Sequence, residues 1–448
     1  MTLDLLLTEG TVLTPSGRES LAVGIKDGCI SYLGSPTEAG PAMTTISLRG
    51  LHVLPGVIDS QVHFREPGQP QKEDLESGTR AAILGGVTAI CEMPNTEPPT
   101  TTTAALREKL DRAVGRAWCD YAFFVGARDD NLDQLGDLER HLGCAGVKIF
   151  LGKSTGGLLV DTEEKIRRAL SSIRRRAAIH SEDEARLEER KSIAEASVGD
   201  PRAHPEWRDA ETAWRSTERL LRIATELGRR VHVLHVTTAD EIPLLAAAKD
   251  VATFEITPQH LTLTAPECYD DLGTLAQMNP PIRTKEHRAA LWQAVDQGVV
   301  DVIGSDHAPH TLEEKGRPYP QSPSGMTGVQ TLLPIMLDHV KAGRLTLERL
   351  VDLVCAGPAR VHGICSKGRI AVGFDADLTI VDLEAQRRIE NSWIASNCGW
   401  TPFDGKEVVG WPKMTVLRGQ IVMRDDEVLE KPVGRPLRYG ETLGTPSA

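Results

Sequence analysis

The chain has 448 residues, more than one compact domain usually holds, and its 40% apolar and 25% charged residues are the balance of a globular protein with a sizeable core. A formal charge of −12 argues against nucleic acid or an anionic membrane as partner, so a small anionic substrate would need a local cationic pocket. No apolar run reaches the ~20 residues that span a bilayer. The opening "MTLDLLLTEGTVLTPSG" has no basic stretch or small-residue cleavage site, and the eight cysteines show no paired metal spacing, so a cytoplasmic protein with reduced thiols is expected.

Residues 1–55 alternate in short apolar runs ("DLLLTEGTVLT", "AVGIKDGCISYLG", "TTISLRGLHVLPG") broken by Gly, Pro and Ser, the pattern of short strands and turns. Residues 363–448 repeat that style in "KGRIAVGFDADLTIVDLE" and "KMTVLRGQIVMRDDEVL". Neither end makes a core alone, so the two are expected to build one small β-sandwich beside the central region. Residues 56–362 carry eight strand-like runs: "PGVIDSQVHF", "GVTAICEMPN", "CDYAFFVGA", "AGVKIFLG", "RAAIHSED", "RVHVLHVTT", "ATFEITPQH" and "VDVIGSDHAPH". Segments of helical apolar spacing, such as "TTAALREKLDRAVG", "EKIRRALSSIRRR", "TERLLRIATELG" and "EHRAALWQAVDQG", lie between them. Eight such alternations predict an α/β fold, a (β/α)8 TIM barrel with the sandwich attached.

The titratable residues gather at the C-terminal ends of those runs, where barrel enzymes place their chemistry. His63, Asn95, Lys148, His180, His235, Thr257, Asp306 and His310 each follow a short apolar stretch. In "GVIDSQVHFREPG" the period of two puts Gln61 and His63 on one face. Lys148 stands inside an apolar strand, where burial disfavours its charged form; the neutral amine could take up carbon dioxide as a carbamate able to bridge two cations. His232 falls on the other side of its strand from His235 and reads as structural, and Cys91 reads as a buried apolar cysteine. Imidazoles, one carboxylate and one anionic bridge suit a zinc-like divalent cation better than calcium or magnesium.

This plan resembles the amidohydrolase superfamily, and within it "VHFREPG", "GGVTAICEMPNTEP", "MNPPIR" and "DHAPH" resemble the dihydroorotases over essentially the whole chain. The resemblance implies reversible ring opening of L-dihydroorotate to N-carbamoyl-L-aspartate in pyrimidine synthesis. It implies one or two Zn2+ ions, with His63 on the first, His180 and His235 on the second, N6-carboxylated Lys148 as bridge, and Asp306 as ligand and general acid–base. Arg65, Asn95 and His310 would hold the substrate carboxylate, Asn279 the ring, and backbone near Pro323 and Gly325 would complete the pocket. The family usually has histidine where this chain has Gln61, which implies a weaker first metal pocket or a single ion. "TPQH", with Gln259, departs from the commoner double histidine. The alternatives are a silent dihydroorotase-like subunit and a cyclic amidohydrolase of hydantoinase or allantoinase type. Retention of the metal and carboxylate residues together favours a working enzyme. Arg65, which hydantoin-opening relatives lack, favours dihydroorotate. The segment "HTLEEKGRPYPQSPSG" has the composition of a mobile lid, and a homodimer is the default assembly.

Overall fold

The computed structural model describes residues 2–153, 157–429 and 431–440. Eight parallel strands follow one another in chain order: β1 (Val57–Val62), β2 (Val87–Glu92), β3 (Asp120–Gly126), β4 (Cys144–Phe150), β5 (Ala177–His180), β6 (Val231–Val233), β7 (Ala252–Ile256) and β8 (Val302–Ile303). The ring closes beyond the last ladder, where the His63 N–H donates to His307 O at 2.7 Å and Val62 bridges His307. All eight expected strands are present, each ending where its apolar run ends. Three of the expected helices begin at a side-chain cap: Thr102 before Thr103–Ala113, Thr162 before Glu163–Ser172, and Asp209 before Ala210–Leu227. Ile166, Ala169 and Leu170 show the spacing that buries one helix face against the barrel wall.

Two cores result. Strand residues Val57, Val87, Val125 and Val147 meet helix residues Leu106, Ile166, Leu220 and Leu291 outside the barrel. Inside it, the small side chains of Ala89, Ala122, Ala145 and Ala178 leave room for Ile58, Phe124 and Leu234.

The termini build two further sheets. A four-stranded sheet comes wholly from the N-terminal segment (Cys29–Gly34, Ala22–Lys26, Leu3–Thr8, Ala42–Ser47). In a seven-stranded sheet the C-terminal strand Leu378–Arg388 pairs antiparallel with His52–Pro55, Ile380 opposite Val53. Leu5, Val23, Ile25, Val53, Ile380 and Val416 fill the space between the two sheets. The C-terminal segment also reaches the barrel. Trp400 Nε1 donates to His310 O at 2.8 Å near the strands' C-terminal ends. Farther on, Leu437 N–H donates to Tyr121 O at 2.8 Å, and Tyr439 joins the interior core beside Cys91. None of the described helices is long and apolar enough to cross a membrane.

Candidate active site

Backbone conformation at the strand ends aims the chemistry. Nine described non-glycine residues have positive φ, and three of them are Arg65 (55°), His235 (39°) and Asp306 (45°). The left-handed region costs an L residue on the order of 1–2 kcal/mol, and such strain concentrates where a side chain must be held in one direction. At His235 it changes the expected geometry. His232 does stand apart from the other imidazoles, donating or accepting with Thr253 Oγ1 at 2.8 Å, but it points into the barrel beside His362 rather than to the far side of the strand. The left-handed turn then brings His235 inward as well. On β1 the ladder to β2 shifts register between Asp59 and Val62. Ile58 and Ser60 face the interior below that irregularity, and Gln61 and His63 do so above it.

Two pairs of electron-pair donors result. His180 Nε2 lies 2.9 Å from Glu182 Oε2. Burial raises the Glu182 carboxyl, but bidentate Arg208 and the imidazole outweigh it and hold it well below the usual carboxylate range. The ionised carboxylate fixes Nε2–H on His180, so the Nδ1 lone pair faces His235 Nε2 at 3.1 Å. His235 Nδ1 is buried without a partner. On the other side His63 Nδ1 donates to Asn95 Oδ1 at 2.6 Å, which turns its Nε2 lone pair toward Asp306 Oδ1 at 3.2 Å. Burial holds all three imidazoles below their ordinary pKa, hence neutral. The His63 lone pair facing the Asp306 carboxylate is repulsive unless a cation sits between them, and His180 Nδ1 with His235 adds neutral nitrogen ligands beside it, so the donor set fits a divalent metal ion. Among the described residues no three His, Cys, Asp or Glu side chains converge on one point.

Gln61 and Lys148 account for that shortfall. Gln61 Nε2 donates to Asp306 Oδ1 at 2.8 Å, and its Oε1 is buried without a partner. An amide thus occupies the place of a third imidazole. Lys148, 1% exposed, stands opposite Ala178 in the ladder of β4 with β5, and burial draws its ammonium down to about 7. It interacts electrostatically with both pairs, feeling Asp306 and lowering His180 and His235. Gln259 does not replace Gln61: it donates to Ser305 O at 2.9 Å and fixes the backbone before Asp306. Thr257 caps the short helix Pro258–Thr262 and bonds His260 Nδ1 at 2.8 Å.

The carboxylate candidates form the opposite arrangement, a surplus of N–H donors. Arg65 donates through Nε to Pro309 O at 3.2 Å, and its Nη2 is 3.3 Å from His310 Nε2. Lys72 Nζ lies 3.3 Å from His310 Nδ1 and 3.0 Å from Glu314. A neutral imidazole has one lone pair for two cationic donors, and burial with Arg65 and Lys72 holds His310 well below its ordinary pKa. An incoming carboxylate satisfies this cluster. Asn279 Oδ1 accepts from His204 Nε2 at 3.1 Å, which fixes its amide. The Pro323 and Gly325 carbonyls do not face this pocket as free groups: both accept from Lys315 Nζ, and the Gly325 N–H donates to Gln277 O. They shape the wall behind His310 instead. His307 is likewise structural, held between Glu73 and the Gly328 N–H.

Several contributors escaped the sequence reading. Glu182 sits two residues after His180, and the strand period could have found it. Asp59 and Glu255, pushed up by burial to about 7 and about 8, lie inside apolar strand runs where they read as ordinary pleat positions. Lys72 and Arg208 lie in irregular segments and His204 opens the four-residue helix His204–Trp207, too short for a period to mark it.

Comparison with known proteins agrees with this geometry. Residues 52–422 match the amidohydrolase family. The chain is 40% identical over 379 residues to a dihydroorotase of Halobacterium salinarum, covering 84% of this chain and 87% of that one. It is 36% identical over 420 residues to a dihydroorotase of Pyrococcus furiosus, covering 92% and 91%. Its fold superposes on the L-hydantoinase (dihydropyrimidinase) from Arthrobacter aurescens with a TM-score of 0.92 at 30% identity, covering 97% and 100%. The barrel, the paired donors at its strand ends and the extent of these matches establish that the chain belongs to the amidohydrolase family.

Proposed function

We propose that this protein is a metal-dependent cyclic amidohydrolase that interconverts L-dihydroorotate and N-carbamoyl-L-aspartate. The observation that carries the reading is the adjacency of two complementary clusters. An acceptor surplus at His63, Asp306, His180 and His235 suits a cation, and a donor surplus at Arg65, Lys72 and His310 suits a carboxylate. A substrate with a hydrolysable ring amide and a carboxylate on the same small ring uses both. Dihydroorotase relatives at 33–40% identity support the assignment.

A divalent cation of the zinc class, held by His180 and His235 with His63, Asp306 and carboxylated Lys148, would polarise the scissile carbonyl and acidify the attacking water. The chain's own groups do the rest. Asp306, its carboxylate held at the mouth by a left-handed backbone, takes the proton from water and returns it to the departing ring nitrogen. Glu182 and Arg208 keep His180 in one tautomer. Arg65 offers a planar fork to the substrate carboxylate, with Asn95 and Asn279 as directional amides. Each of His63, Arg65, Asn95, Asp306 and His310 is less than a tenth exposed, so bulk water is excluded from the charges involved.

The likeness to an L-hydantoinase favours a second reading, hydrolysis of a hydantoin ring without the carboxylate. Arg65 separates the two. Arg65→Met is expected to lower kcat/KM for L-dihydroorotate by about 100-fold, the order of a lost charge-assisted pair, while leaving any hydantoin hydrolysis unchanged. Steady-state kinetics on both rings checks this, and equal loss on both would sink the carboxylate role.

A further inference from the structure

Lys315 ends the short helix Leu312–Lys315, five residues past His310, and is 0% exposed. Its Nζ donates to three backbone carbonyls, Gln277 at 3.1 Å, Pro323 at 2.9 Å and Gly325 at 3.1 Å. An ammonium has three N–H groups, so none is left over. Its own carbonyl accepts from Thr274 Oγ1 at 2.5 Å and Ser322 Oγ at 3.2 Å. No carboxylate among the described residues pairs with it; the three carbonyls and the Trp400 ring face, 5.9 Å away, surround it, and burial draws its ammonium down to about 7.

The segments it ties are those around the carboxylate cluster. Gln277 lies two residues before Asn279, and the Gly325 N–H donates to Gln277 O at 2.8 Å. Gly325, at φ 146°, packs so closely that a Cβ there would come 2.3 Å from Ala308 O and 3.0 Å from His310 Cδ2. Lys315 is also one of the cations that hold His310 neutral, with Arg65 and Lys72. The stretch expected to be a mobile lid is therefore pinned from beneath at Lys315.

We propose that Lys315 is a positioning residue for substrate-carboxylate binding, which locks the 277–279 and 323–325 segments around His310 through its three carbonyl contacts. Resting on the dihydroorotate reading, the proposal extends it to a specificity device outside the metal and acid–base machinery. Replacing Lys315 takes the Nζ donor from the Pro323 and Gly325 carbonyls and leaves Gln277 O with the Gly325 N–H alone, which should loosen both segments together and weaken ground-state binding more than chemistry.

The test combines kinetics with amide hydrogen exchange on the metal-loaded full chain. Lys315→Met is expected to raise KM for L-dihydroorotate about tenfold or more with kcat within about threefold, and to speed exchange in 277–281 and 321–326 together while β1–β8 stay unchanged. Thr274→Val, which removes only the hydroxyl on the Lys315 carbonyl, should give a smaller change of the same kind and serves if Lys315→Met does not fold. Unchanged exchange in both segments overturns the clasp, and a fall in kcat at constant KM overturns the carboxylate role. If the wild type fails to open dihydroorotate while both segments loosen in the variants, the substrate reading fails and the clasp stands.

Discussion

Gln61 decides how strongly one half of the centre can hold a cation. Its amide donates to Asp306 where an imidazole would offer a lone pair, and a neutral amide oxygen is a weaker zinc ligand than histidine. Gln61→His is therefore expected to raise tightly bound zinc toward two ions per chain, where the wild type retains closer to one. Elemental analysis after exhaustive dialysis checks this, and equal metal content in both proteins would contradict it. The strand-end residues were legible because each polar group closes an apolar run, and such a run is visible without knowledge of its neighbours. The direction of a side chain was not. Left-handed φ at Arg65, His235 and Asp306 is imposed by packing, and no residue type at those positions announces it. The partners of His180 and His310 were legible only where a strand period reached them, as at Glu182 but not at Lys72.

At the level of elements, the barrel was written in the alternation of runs, whereas the pairing of the terminal sheets was not. His52–Pro55 finds its partner in Leu378–Arg388 across the whole barrel sequence, and a four-residue run can sit at many registers along an eleven-residue strand. The path of Trp400 to the His310 carbonyl depends on that pairing and has no local signal. One element links stability to the site. Asp209 caps Ala210–Leu227 through the Thr212 N–H at 2.9 Å, binds Arg186, and follows Arg208, the guanidinium that fixes Glu182. Asp209→Ala is expected to cost about 1–2 kcal/mol of stability as a lost cap, read from denaturant midpoints, and to leave the barrel's far-UV signature intact. A change within about 0.3 kcal/mol would show that Arg186 and the other caps carry the helix start without it.

Across the whole molecule, burial of histidine sets the response to acid. His204 and His232 are drawn down to about 3, His260 and His339 to about 4, and His310 and His362 well below their ordinary value, all by burial first. Below pH 6.5 the unfolded chain takes up protons that these folded imidazoles refuse, so stability falls with pH. Asp59, Glu92 and Glu255, raised to about 7, 7 and 8, act in the opposite sense and offset part of it. The histidines lowered by burial, His63, His180 and His235 among them, outnumber the carboxyls it raises, so stability is expected to fall as the pH drops from 7 to 5. Denaturant unfolding at pH 7, 6 and 5 measures it, and stability that holds or rises on acidification would contradict the burial argument.

In the proposed reaction, the nitrogen and carboxylate donors at the barrel mouth grip a cation on which ring opening depends. The most direct measurement of that dependence is a titration of metal-stripped protein with zinc, recording bound metal and L-dihydroorotate turnover in the same samples. Turnover is expected to be absent at zero occupancy, to rise in proportion to bound zinc, and to vanish again on chelation. Full turnover in the stripped protein, or none in the fully loaded one, would contradict it.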